Sequence, residues 1–102
     1  MNDFRVGGYK GEGELTFRFS AVTGADTLKV QQSSDGGETW LDSTITSVFD
    51  GPGENYTGTT TLTETSTAVR VGGLTSGTSY DFKLVGTDEG KEIESNTVRT
   101  TY

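Results

Sequence analysis

The alternation of apolar residues between Ala68 and Leu84 limits what this chain can become more than any other feature. Val69 and Val71 hold alternate positions, Gly72-Gly73 breaks the run, and Leu74 follows. After Thr75-Ser76-Gly77-Thr78-Ser79 the period of two resumes with Tyr80, Phe82 and Leu84. Successive side chains of a strand point to opposite faces, so this spacing buries one face and wets the other. Asp88-Glu89-Gly90 interrupts again, and a polar strand runs out to Tyr102. Three antiparallel strands are predicted here.

The same logic extends upstream. Phe4-Arg5-Val6 opens a short first strand, which Gly7-Gly8 interrupts, and Gly11-Glu12-Gly13 marks a turn. In Glu14 to Val22, Leu15, Phe17 and Phe19 face one way and Thr16, Arg18 and Ser20 the other. Thr27 to Gln32 carries Leu28 and Val30 inward. Thr44 to Phe49 and Tyr56 to Leu62 read as modest strands about the turn Asp50-Gly51-Pro52-Gly53-Glu54-Asn55. The predicted strands cover 4–9, 14–22, 27–32, 39–49, 56–63, 67–71, 79–87 and 91–100. At 102 residues the chain suits one domain, 1–102, with no room for a cofactor domain beside a catalytic one. Only 29% of it is apolar, a composition that taken alone also fits disorder. A thin two-sheet core resolves this, because it needs only alternate residues apolar.

Two stretches resemble known patterns. Leu74, then Gly77-Thr78, then Tyr80 opening an alternating strand resembles the fibronectin type III family at its E–F corner. Ser76 stands where that pattern has Pro, and Phe19 where it has Trp. The resemblance implies an all-β, immunoglobulin-like (fibronectin type III) antiparallel β-sandwich of about seven strands. It makes Phe19, Leu74, Gly77 and Tyr80 structural residues. Tyr80 would be the tyrosine corner, with its ring buried and its hydroxyl bonded to backbone near Leu74 or Gly77. Ser33-Ser34-Asp35-Gly36-Gly37-Glu38-Thr39-Trp40 fits Ser-x-Asp-x-Gly-x-Thr-Trp and is similar to the Asp-box of sialidases. In such a hairpin Asp35 accepts from turn amides, Gly36 and Gly37 take positive φ, and Trp40 packs back. A sialidase propeller repeats the box over several blades. A single copy therefore speaks for a structural hairpin rather than for that activity.

Charge and residue types narrow the function. Fifteen acidic against eight basic residues give −7, which argues against nucleic acid and anionic lipid as partners. No apolar run reaches membrane-spanning length, so no membrane insertion is expected. Met1-Asn2-Asp3 leads into charged and glycine-rich sequence with no visible signal peptide. His and Cys are absent, which removes the common catalytic triads and dyads and the usual zinc ligands. Asp88, Glu89, Glu92 and Glu94 lie close in sequence. A carboxylate pair for glycosidase chemistry or an oxygen site for calcium is weighed there, and solvated surface charge ranks ahead of both. No catalytic, cofactor or metal residue is therefore predicted, and no cofactor. Asn55-Tyr56-Thr57 is a glycosylation sequon. Trp40, Phe49 and Tyr56, near the elaborated hairpin, are candidate glycan contacts, because aromatic faces stack on sugars; burial in the core is the competing role for Trp40 and Phe49.

The family resemblance implies a non-catalytic accessory module of a bacterial surface or secreted protein or of a phage virion. Such a module binds, displays or spaces. Its expected partners are cell-surface polysaccharide or neighbouring domains of the parent assembly. The isolated domain is expected to be monomeric, and its location extracellular, on the cell surface or in a virion. A pure spacer without ligand and a fragment of a carbohydrate-active enzyme are the alternatives.

Overall fold

A computed structural model describes all 102 residues, Met1–Tyr102. The chain is all-β: ten strands and no helix. In order they are β1 (Arg5–Gly11), β2 (Glu14–Arg18), β3 (Thr27–Ser33), β4 (Leu41–Asp42), β5 (Thr44–Asp50), β6 (Asn55–Tyr56), β7 (Ser66–Gly72), β8 (Ser79–Asp88), β9 (Lys91–Glu94) and β10 (Val98–Thr101). Two antiparallel sheets of five strands form a sandwich. The first runs β1-β2-β7-β5-β6; the second runs β10-β8-β3-β4, with β9 also paired to β8. With no helix in the chain, none is long and apolar enough to cross a membrane.

Alternation decides what enters the core. In the first sheet Phe17 pairs with Val69 and Val69 with Val48, and all three are fully buried. In the second, Val30 pairs with Leu84 and both are buried. Aromatic rings tie the layers together. Phe4 stacks on Phe17 at 4.9 Å, Phe17 meets Phe82 of the opposite sheet at 4.6 Å, and Phe82 meets Tyr80 at 5.6 Å. Full burial of such a side chain is worth about 1.5–3 kcal/mol. A handful of rings thus supplies much of what a chain so poor in apolar residues needs. Phe4 is itself held by Asn96, whose side chain accepts from the Phe4 N–H (3.0 Å) and donates to its carbonyl (2.9 Å).

Several predicted boundaries move, each for a local reason. The strand expected over 39–49 is two pieces in different sheets. Ser43 gives its N–H to Val30 O (2.8 Å) and its hydroxyl to Gln32 (2.8 Å), which closes the ladder with β3. From Thr44 the backbone pairs with β7. The strand expected over 56–63 ends at Tyr56. There Thr57 turns both its N–H (3.1 Å) and its hydroxyl (3.0 Å) onto Val48 O, and the threonine and serine hydroxyls that follow take up local amides. Such side chains compete with a sheet ladder for backbone groups. Leu62 is nonetheless buried, from a loop. The segment expected over 14–22 stops at Arg18, since Ser20 N–H turns to the Asp3 carboxylate (3.1 Å). Gly7-Gly8 does not break β1, which runs through with a register irregularity between Val6 and Lys10. The segment expected over 91–100 divides at Ser95-Asn96 into β9 and β10, which pair with different halves of β8. Ten strands therefore stand where about seven were expected: β4 and β6 are two-residue pieces and the last strand is split.

Candidate functional site

Because Phe17, Val69 and Val48 point inward, their sequence neighbours point out from the first sheet. Thr16 pairs with Arg70; Arg18 pairs with Ala68, Ala68 with Phe49, and Phe49 with Tyr56. This register lines up a strip across the whole outer face. The Arg70 guanidinium carbon lies 3.8 Å from the Tyr9 ring centre and 5.0 Å from that of Phe49. The Phe49 ring lies 5.8 Å from Tyr56. Tyr9 on β1 and Tyr56 on β6 are the ends, 43% and 67% exposed. Four strand spacings of about 4.8 Å make the strip roughly 19 Å long. Tyr56 is positioned by the turn before β6. Glu54 there has φ 48°, with its N–H bonded to Gly51 O (3.0 Å) and its carboxylate 2.6 Å from Arg18.

The arginines of the chain are unevenly satisfied. Arg5, Arg18 and Arg99 have carboxylate partners at Asp3 (3.6 Å), Glu54 (2.6 Å) and Asp81 (2.9 Å). Arg70, the fourth arginine, has none, and its Nε is buried without an acceptor. The hydroxyl of Thr16, its ladder partner, is also buried and unbonded. Each such group costs about 1–3 kcal/mol.

Trp40 is elsewhere. It lies between β3 and β4, with Lys83 Nζ 4.2 Å from its ring centre and its own indole N–H bonded to Gly37 O (3.1 Å). Lys83 alternates with buried Phe82 and Leu84, so it points outward from the second sheet. Phe49 and Tyr56 therefore come together, and Trp40 faces the opposite way. Tyr9 and Arg70 complete the strip instead. Arg70 was readable as outward because it sits between Val69 and Val71. Tyr9, flanked by Gly8 and Lys10, carried no periodic signal, and only the sheet register brings the two together.

The outer face of the second sheet is a shallow groove between β3, β8 and β9, lined among others by Lys29, Gln31, Lys83, Val85, Glu92 and Glu94. Most of its charges are answered internally, Glu92 excepted. Lys29 meets Asp42 (3.1 Å), Gln31 donates to the same carboxylate (3.3 Å), and Lys83 meets Glu94 (3.3 Å). Lys29 and Gln31 hold the Asp42 carboxyl below its ordinary value, and the Arg99 guanidinium does the same for Asp81. Asp88 and Glu89 sit at the β8–β9 hairpin, where the Glu89 N–H donates to Asp26 (2.8 Å). Nowhere do three or more Asp or Glu side chains gather as a metal site would need.

The remaining predicted residues hold turns. Asp35 accepts from the Ser33 hydroxyl (2.7 Å) and from the Thr39 N–H (2.9 Å) and hydroxyl (2.5 Å). The Ser33 hydroxyl first, then Thr39, hold its carboxyl down to about 2. Gly36 and Gly37 have φ of 77° and 93°. At the crossing from β7 to β8, the Thr75 N–H donates to the Tyr80 hydroxyl (2.8 Å), and Leu74, Tyr80 and the more distant Phe19 are buried. Gly77 turns that corner with φ 82°. Gly86 was not singled out by sequence. A Cβ on it would stand 2.0 Å from Thr27 O. An isolated Gly inside an alternating strand is the available signal for such a close approach.

No family model and no curated protein sequence matches the chain. The geometry itself offers flat apolar faces, one unpaired guanidinium and hydroxyl groups, a set suited to non-covalent contact with a polar ligand that has apolar faces of its own.

Proposed function

We propose that the chain is a non-catalytic, fibronectin type III-like accessory module that contacts glycan through the outer face of its first sheet. The setting we assign is a bacterial surface or secreted protein or a phage virion, in which the module is displayed beside other domains. The order β1-β2-β7-β5 opposite β10-β8-β3 supports the immunoglobulin-like reading, since that sandwich sets strands A-B-E-D against G-F-C. The Thr75–Tyr80 bond supports the fibronectin type III reading in the same way.

The observation that carries the functional reading is the strip of Tyr9, Arg70, Phe49 and Tyr56. Aromatic side chains are the strongest contributors to a core, yet a chain with 29% apolar residues leaves Tyr56 largely and Tyr9 partly in solvent on one face. A glycan array probed with the isolated protein tests it. Reproducible binding that Tyr56→Ala abolishes, with the thermal midpoint unchanged, is the expected result. Binding that survives Tyr56→Ala and Phe49→Ala would remove the strip from the site, and no binding at all would leave a spacer.

A further inference from the structure

We propose that Arg70 reads a carboxylate on the glycan, so that the strip takes an acidic sugar set among neutral ones. This deepens the glycan-contact reading and rests on it. The chain holds 15 acidic residues against eight basic ones, so a carboxylate for every arginine would be easy to supply. Three arginines have one and Arg70 does not. Instead Arg70 is stacked at 3.8 Å from the ring centre of Tyr9, two strands away on β1, with Phe49 on the adjoining strand β5. Stacking occupies the face of a guanidinium and leaves its N–H groups, which lie in its plane, for an acceptor. That planar fork matches a carboxylate with two parallel hydrogen bonds, which a neutral hydroxyl cannot accept in the same way. The Nε and the Thr16 hydroxyl opposite it are unbonded and shielded from solvent, so the fork left for a ligand is that of the two terminal nitrogens. Tyr56 and Tyr9, both exposed, flank it with faces for the adjoining sugar rings. The net charge of −7 repels a dense polyanion, which is why the carboxylate is placed among neutral sugars.

The test is an NMR titration of the intact chain with a glucuronosyl-glucose disaccharide and, separately, with its methyl ester. The two probes share every ring, and the ester caps the carboxylate with a methyl and so removes its charge. The acid should bind about tenfold more tightly, as expected for a charge-assisted bidentate pair. Its binding should weaken with added salt and move the resonances of Arg70 and the Tyr9, Phe49 and Tyr56 rings. Arg70→Gln, which removes both the charge and the fork, should bring the acid and the ester to the same affinity. Equal binding of acid and ester by the wild type would overturn the carboxylate proposal and leave the glycan reading standing, and that comparison needs no variant to fold. A preference for the acid that persists in Arg70→Gln would also overturn it. Binding of neither probe would overturn the carboxylate proposal, and the glycan reading would then stand or fall on the array.

Discussion

The two outer faces of this sandwich are made by the same alternation and end in different states. The face of the second sheet carries a shallow groove, and most of its charged groups answer one another: Lys29 with Asp42, Lys83 with Glu94, Arg99 with Asp81. The polar groups on the face of the first sheet are answered less completely. That face carries an arginine without a carboxylate, a buried threonine hydroxyl without a partner, and two tyrosines left in solvent. The groove alone would select the second face, and the strip selects the first. Unfinished polar groups beside exposed rings are the better sign of a surface made for something outside the chain. The reason is energetic, since an orphaned polar group costs stability and a self-satisfied one does not.

Substitutions can break or sharpen this contrast. The largest effects belong to positions that support both faces. Gly86→Ala would drive a methyl into the Thr27 carbonyl and split β8 from β3, and the variant is expected to lose its cooperative urea transition. Tyr80→Ala opens a cavity beside Phe82 and frees the Thr75 amide, and should lower stability by about 3–5 kcal/mol in urea melts. Tyr80→Phe keeps the ring and should cost roughly 1 kcal/mol. A Tyr80→Ala chain with an unchanged urea midpoint would mean that the β7–β8 crossing does not depend on this ring.

Next come the faces themselves, with opposite signs. Lys83→Ala removes a partner from Glu94 and Trp40 on the satisfied face and should cost about 1 kcal/mol, with glycan binding untouched. Thr16→Val removes an orphaned hydroxyl from the open face at nearly constant shape. It should raise stability by about 1 kcal/mol. If Thr16→Val destabilised as much as Lys83→Ala, the two faces would be alike and the contrast would fail.

The smallest effect is a pH dependence at the Ser33–Trp40 hairpin. The folded state depresses the Asp35 carboxyl from 3.8 to about 2. A depressed carboxyl contributes stability that is fully present above its unfolded value and is lost as pH falls through its folded value. Wild type and Asp35→Asn should therefore differ in urea midpoint at neutral pH and converge between about pH 3.8 and 2. A constant gap across that range would place the Asp35 contribution in something other than its charge.

Much of the sandwich could be read from spacing alone, and its limits are physical. Val69, Val71, Phe82 and Leu84 identify their strands because burial enforces a period of two. The switch of sheets at Ser43 left no mark, since it depends on where Val30 and Gln32 sit in a strand distant in sequence. The threonine-rich run after Tyr56 alternates well enough to look like a strand, and its own hydroxyls then take the backbone donors away. The site was half readable for the same reason. Phe49 and Tyr56 flank one turn and could be paired from sequence, whereas Tyr9 and Arg70 meet only through the register of β1, β2 and β7.

The central claim is that glycan is met by the first sheet's outer face and not by the groove of the second. Chemical-shift mapping with a glycan that scores on the array decides between them. The account predicts perturbations confined to Tyr9, Arg70, Phe49, Tyr56 and their strand neighbours, with Trp40, Lys83 and Glu94 unmoved. Perturbations centred on Trp40 and Lys83, with the strip silent, would contradict it.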